Sequence, residues 1–200
     1  MNKILAYPCN LVGYVRLMLL ITALTLLAIY DLMDWPLTAC SRWMVIGFLF
    51  AAAALDAIDG YLARKFGHVT VFGALLELMI DMLIHTTVWL ISGLKIGPFI
   101  LALEWSVALF LAALTYADDN HWKKLLAEKG PWLLRVYFKP MKVNYFCEYC
   151  NLAHFALPAL FFVYGYFNAA GWIMLPGLII YELVTLMMLY LFFKLVLDNK

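Results

Sequence analysis

The stretch LDAIDGYLARKFGHVTVFGALLELMID, residues 55–81, decides how this chain is read. It sets four carboxylates, Asp56, Asp59, Glu77 and Asp81, on two otherwise apolar runs. Around it the chain is mostly hydrocarbon: of 200 residues, 66% are hydrophobic and 14% charged, with a mean hydropathy of +0.90. Soluble domains are about half apolar and a quarter charged. The composition is therefore that of an integral membrane protein, and the length suits a single domain over residues 1–200. A net charge of +1 without a basic run points to no nucleic-acid partner.

A membrane helix needs about 20 mostly apolar residues. Six windows meet this, at 11–30, 43–63, 72–94, 97–117, 151–168 and 172–194, so an all-α protein with six transmembrane helices is expected. The N-terminal run is read as a retained helix: Arg16 interrupts it, no small-residue cleavage site follows, and hydrophobicity continues to Tyr30. Counting Lys and Arg by side fixes the orientation. With the N-terminus inside, twelve of the 14 are cytoplasmic, Arg16 and Arg64 among them, and only Arg42 and Lys95 lie outside. Both chain termini are then expected in the cytoplasm. The long polar interval from Asp118 to Cys150 contains PWLLRVYF, which alternates aromatic, aliphatic and basic groups. It reads as a juxtamembrane segment in the headgroup layer or as the tail of a neighbouring helix. Cys147, Cys150 and His154 lack the second ligand pair of a structural zinc site.

Asp56 and Asp59, three apart, share one helix face, and Glu77 and Asp81, four apart, share another. With a loop over residues 64–72, Asp59 and Glu77 each lie about 7.5 Å into their helices. Asp56 and Asp81 lie about 12 and 13.5 Å in, so two acidic faces can meet at equal depth. An aspartate at the membrane centre costs about 2.5–3.5 kcal/mol. Four unpaired carboxylates would cost on the order of 10 kcal/mol, comparable to the stability of a whole domain. Something must neutralise them, and Arg64 and Lys65 are the cations nearby in sequence. Carboxylates at this density suit hard divalent cations, Mg2+ or Mn2+, and two ions would balance four charges. Gly60, Ala63 and Gly73 leave space beside the acids, either for close helix packing or for a ligand.

Asp56, Asp59, Gly60, Ala63, Arg64, Gly73 and Asp81 supply seven of the eight markers of D-x-x-D-G-x-x-A-R, eight residues, G-x-x-x-D-x-x-x-D, without a gap. The chain thereby resembles the CDP-alcohol phosphotransferases. PCNLVGYVRLMLLI, DAIDGYLAR and FGALLELMID resemble the phosphatidylinositol synthase branch, and LLRVYFKP resembles its later cytoplasmic segment. The resemblance implies transfer of a phosphatidyl group from CDP-diacylglycerol to a small polar alcohol such as inositol, with release of CMP. It further implies that Asp56, Asp59, Glu77 and Asp81 hold Mg2+ or Mn2+. Asp81 would be the general base, and Gly60, Arg64 and Thr70 would contact CDP-diacylglycerol. Arg135, Lys139 and Lys142 are candidates for the alcohol pocket or for anionic lipid. Homodimers are common in the family. The host membrane would be endoplasmic reticulum in a eukaryote or the inner membrane in a bacterium, with the site facing the cytoplasm.

Two positions depart from the pattern. The family's third aspartate is Glu77, whose extra methylene displaces the carboxylate by roughly 1.5 Å, and a misplacement of about 1 Å can cost 100-fold in rate. Leu152 follows Asn151 where the inositol branch carries an acidic residue. A catalytically impaired paralogue that binds lipid or a partner is therefore the alternative. A transporter, the other class of protein with intramembrane acids, would carry polar residues through the depth of several helices.

Overall fold

The computed structural model describes residues 3–117, 126–128, 130–139 and 143–198, and it is helical, with no strand among them. Among the described residues, six helices are long and apolar enough to cross a membrane. The chain forms two compact units, Met1–Ile91 and Ser92–Lys200.

The first unit holds a short 3-10 turn, Lys3–Ala6, and four helices: α1 Pro8–Leu32, α2 Ala39–Ala54, α3 Asp56–Phe66 and α4 Val71–Ser92. Pro8 opens α1, where its missing N–H is no loss. Thr38 caps α2 by accepting from the Ser41 amide at 3.2 Å. The second predicted helix is one span but two helices, because the regular pattern stops at Leu55 and restarts at Asp56. That break places both aspartates in the first turn of α3, where exposed amides favour negative charge. Gly67 ends α3 in the left-handed conformation (φ 64°), and the His68 amide reaches back to the Ala63 carbonyl at 2.9 Å. A residue with a Cβ is strained in that conformation. α1 packs on α2 and α3, and a Cβ at Gly13 would stand 3.1 Å from Leu76 of α4. α1 is thus the element to which the other three are fitted.

The second unit holds α5 Gly97–Ala117, a short α6 Trp132–Tyr137, α7 Tyr145–Tyr164 and α8 Ala169–Asp198. α7 begins six residues before the hydropathy window, because Asn144 caps it by accepting from the Cys147 amide at 3.2 Å. α7 and α8 approach closely at Gly177, where a Cβ would fall 2.6 Å from Cβ of Ala153. The PWLLRVYF segment supplies α6. Leu134 and Tyr137 enter a core with Leu126, Cys150, Val184 and Leu191, while Trp132, Arg135 and Lys139 are exposed. Burial pushes the Tyr137 phenol well above its ordinary pKa, so it stays a donor. It donates to Oδ1 of Asn151. Lys142 and the start of the polar interval, 118–125, lie outside the described residues.

Glu104 and Glu182, the other acids within apolar runs, flank one histidine. Nε2 of His154 lies 3.1 Å from Glu104, and Nδ1 lies 3.1 Å from Glu182. Tyr181 stacks on the ring at 4.1 Å and donates to Glu104 at 3.0 Å. A neutral imidazole has a single N–H to donate. Two facing carboxylates therefore require the trio to share one further proton. One oxygen of each glutamate is thereby paired inside the second unit.

Three substitutions test this packing, two in the second unit and one control in the first. Gly177→Ala overpacks the α7–α8 contact and is expected to lower stability by about 1–3 kcal/mol. Gly47→Ala in α2, where a Cβ meets nothing within 4 Å, is expected to lower it by nothing. His154→Leu strands two carboxylates in an apolar interior, at a cost of about 3–5 kcal/mol. Thermal unfolding of the detergent-solubilised protein measures all three.

Candidate functional site

The site is assembled by α1, α3 and α4. Arg16 lies in the middle of α1 and is fully buried. Its Nη1 donates to Oδ1 of Asp56 at 2.8 Å and to Oδ2 of Asp59 at 2.7 Å. Its Nη2 donates to Oδ1 of Asp81. Its Nε donates to the Ala52 carbonyl at 2.9 Å. Ala52 belongs to the last turn of α2, where carbonyls lose their partners within the helix. The α2–α3 break thus supplies the acceptor that anchors the guanidinium, and the same break turns Asp56 and Asp59 toward it. A planar guanidinium with five fixed donors can serve four acceptors at once; an ammonium cannot.

Side-chain exposure grades outward from this anchor. Arg16 is 0% exposed and Asp59 9%, whereas Asp81 is 36% and Asp56 41% exposed. The cluster is closed on the α1 side and open on the other. One carboxylate oxygen from each of Asp56, Asp59 and Glu77 lies within 4.8 Å of the others. Arg16 takes a single oxygen from each aspartate, so the second oxygen of each remains to serve a cation or, at Asp81, a proton. A set of carboxylate oxygens, crowded on one side of a fixed counter-charge and open on the other, fits a hard divalent ion.

The expected meeting of the two acidic faces is therefore present, but by a different route. Arg64 and Lys65 are the cations nearest the acids in sequence. Arg64 is instead exposed, folded back so that a Cβ at Gly60 would stand 3.3 Å from its Nη1. The Lys65 ammonium lies over the rings of Tyr61 and Phe66, at 5.5 and 5.7 Å. The cation that pairs with the three aspartates is Arg16, 40 positions before Asp56. As a buried group it is not one of the loop charges on which an orientation can be counted. A lone arginine inside an apolar span was the signal that could have found it, because such a residue requires an internal partner.

Thr70 caps α4: its hydroxyl accepts from the Gly73 amide at 3.1 Å. Gly73 leaves room for Asn10, whose Oδ1 would stand 3.1 Å from a Cβ there. Asn10 is buried and donates to the Ile4 carbonyl at 2.7 Å. Tyr7 stacks on His68 with ring centroids 3.8 Å apart. These contacts tie the entry of α1 to the loop between α3 and α4, and so fix the height of Arg16 against the acids.

The sequence model of one family, described as CDP-alcohol phosphatidyltransferase, matches residues 7–196. Among curated proteins, a CDP-diacylglycerol–inositol 3-phosphatidyltransferase of Schizosaccharomyces pombe is 27% identical over 85% of this chain and 70% of its own length. The human protein of that name is 25% identical over 92% and 88%. A probable CDP-diacylglycerol–inositol 3-phosphatidyltransferase 2 of Arabidopsis thaliana is 23% identical over 76% and 65%, so the match spans about two thirds of the plant protein. No solved structure matches the chain. With the family's acidic motif gathered around one site and its sequence pattern running through almost the whole length, the chain belongs to the CDP-alcohol phosphatidyltransferase family, a metal-dependent group.

Proposed function

We propose that this protein transfers the phosphatidyl group of CDP-diacylglycerol to a hydroxyl of a small polar alcohol, with inositol as the acceptor, and releases CMP. The observation that carries this reading is the convergence of Asp56, Asp59 and Glu77 oxygens within 4.8 Å, with Asp81 held to the same guanidinium. The inositol assignment is supported by the printed names of the yeast and human relatives. The family match extends through both units, which supports their acting as one domain. The surplus of Lys and Arg on one side supports a cytoplasmic site.

In this reading Asp56, Asp59, Glu77 and Asp81 hold Mg2+ or Mn2+. A bound divalent ion would offset the diphosphate charge and stabilise the departing CMP. The alcohol oxygen forms a bond to the lipid-linked phosphorus, and the bond from that phosphorus to the CMP oxygen breaks. Arg16 engages Oδ1 of Asp81, which leaves Oδ2 to take the hydroxyl proton. The partial exposure of that side chain gives an alcohol access to it. Arg64, exposed one turn beyond Gly60, would pair with a phosphate of CDP-diacylglycerol. Thr70 would contact the same lipid nucleotide from the start of α4. Acyl chains remain in the bilayer.

Glu77 raises the second reading, an impaired paralogue. Its carboxylate nonetheless reaches the oxygens of Asp56 and Asp59, so the extra methylene does not remove it from the cluster. That favours the active reading.

Purified protein with labelled CDP-diacylglycerol, Mg2+ or Mn2+ and a panel of alcohols tests this directly. CMP release with inositol is expected. Absence of release with every alcohol, together with turnover in Glu77→Asp, would establish the impaired paralogue instead. Asp81→Asn is expected to lower kcat by about 100- to 10,000-fold while sparing CDP-diacylglycerol binding. An unchanged rate would remove Asp81 as the base.

A further inference from the structure

The transferase reading uses Arg16 only to orient Asp81, and leaves the effect of its charge on the acid cluster unused. Arg16 is a permanent cation inside a site meant for removable ones. Counted over these five groups alone, four carboxylates and one guanidinium sum to a formal charge of three minus. A first divalent ion reduces that to one minus. A second, with nothing else added, would turn the site positive at membrane depth, where an uncompensated charge is costly. The diphosphate of a nucleotide lipid brings two negative charges, and with it a second ion leaves the site at one minus.

We infer that Arg16 serves as a built-in counter-ion that limits the acid cluster to one divalent ion until a diphosphate arrives to accompany the second. The geometry permits this without rearrangement. Arg16 uses one oxygen of Asp56, Asp59 and Asp81 and leaves the other on each, so it holds the cluster in shape both before and after loading. Its bond to the Ala52 carbonyl and its complete burial keep it from swinging away when an ion enters. Arg16 is thus a positioning residue. It touches the groups that meet the substrate, and it sets how many ions they accept. The inference rests on the transferase reading and sharpens it: the substrate is recognised in part as the anion that completes the metal site.

Mn2+ binding to the detergent-solubilised full chain, followed by the electron paramagnetic resonance signal of free Mn2+, provides the test. Lipid-free and CDP-diacylglycerol samples are compared, without acceptor alcohol, against micelle blanks. One ion is expected without the lipid and two with it, the second binding at least about tenfold more tightly when the lipid is present. Arg16→Gln is expected to take two ions without lipid, because four carboxylates then match two ions. Arg16→Lys, which keeps the charge, is expected to return the lipid-free count to one. Two ions on the unaltered protein without lipid would overturn the inference and leave the transferase reading intact. No Mn2+ with or without lipid would overturn both. Should Arg16→Gln fail to fold, the count on the unaltered protein decides alone; a folded Arg16→Gln protein that still takes a single ion overturns the part assigned to Arg16.

Discussion

One guanidinium, held inside an apolar helix bundle and bonded to three carboxylates, is the constraint on which the first unit depends. Neither partner is tolerable alone. A bare arginine in α1 and bare aspartates in α3 and α4 would each carry a desolvation penalty of several kcal/mol. Together they satisfy one another at 2.7–2.8 Å for Asp56 and Asp59, and the residual negative charge is turned toward the open side. The fork geometry also fixes direction: two aspartates meet one nitrogen, the third meets the other, and Nε is occupied by a backbone carbonyl. Stability and site geometry are therefore the same interaction seen from two sides.

The backbone is arranged around that interaction by small departures from regularity. The break at Leu55 frees the Ala52 carbonyl and starts a helix at Asp56. Thr70 begins α4 at the height that brings Glu77 to the cluster. Gly13 and Gly73 let α1 come close enough for the arginine to reach, because a methyl group at either would press on Leu76 or Asn10. In lipid, where hydrophobic attraction between helices is weak, such close approach and internal polar bonds are what hold a bundle together. The second unit follows the same rule with different residues: Gly177 against Ala153, and His154 bracketed by two glutamates. Its polar trio pairs one oxygen of each glutamate with the histidine ring, whereas the Arg16 cluster gathers oxygens of three aspartates on one guanidinium.

The six spans, the acid spacing and the family motif were legible because each is local. Hydropathy is summed over a window, and residues three or four apart on a helix share a face whatever surrounds them. Asp56, Asp59, Glu77 and Asp81 could accordingly be grouped before any coordinates. Arg16 could not be joined to them, since nothing in a linear reading says which face of a distant helix turns inward, and nearby Arg64 and Lys65 offered a simpler pairing. The break at Leu55 was hidden for a related reason: it does not interrupt the apolar run, and only the Arg16 bond to Ala52 reveals its purpose. Glu104, His154 and Glu182 likewise stood 50 and 28 positions apart with no motif to connect them.

By itself, then, the sequence determined that this is a helical membrane protein of a phosphatidyl-transferring family and which four acids carry its motif. Those properties rest on composition, helical periodicity and fixed spacing. The tertiary structure alone decided what neutralises the acids, which oxygens remain available, and that Arg64 faces outward while Arg16 faces in. The physical reason is that a buried charge is stabilised by whichever opposite charge lies within about 3 Å, and that neighbour is chosen by helix packing, not by distance along the chain.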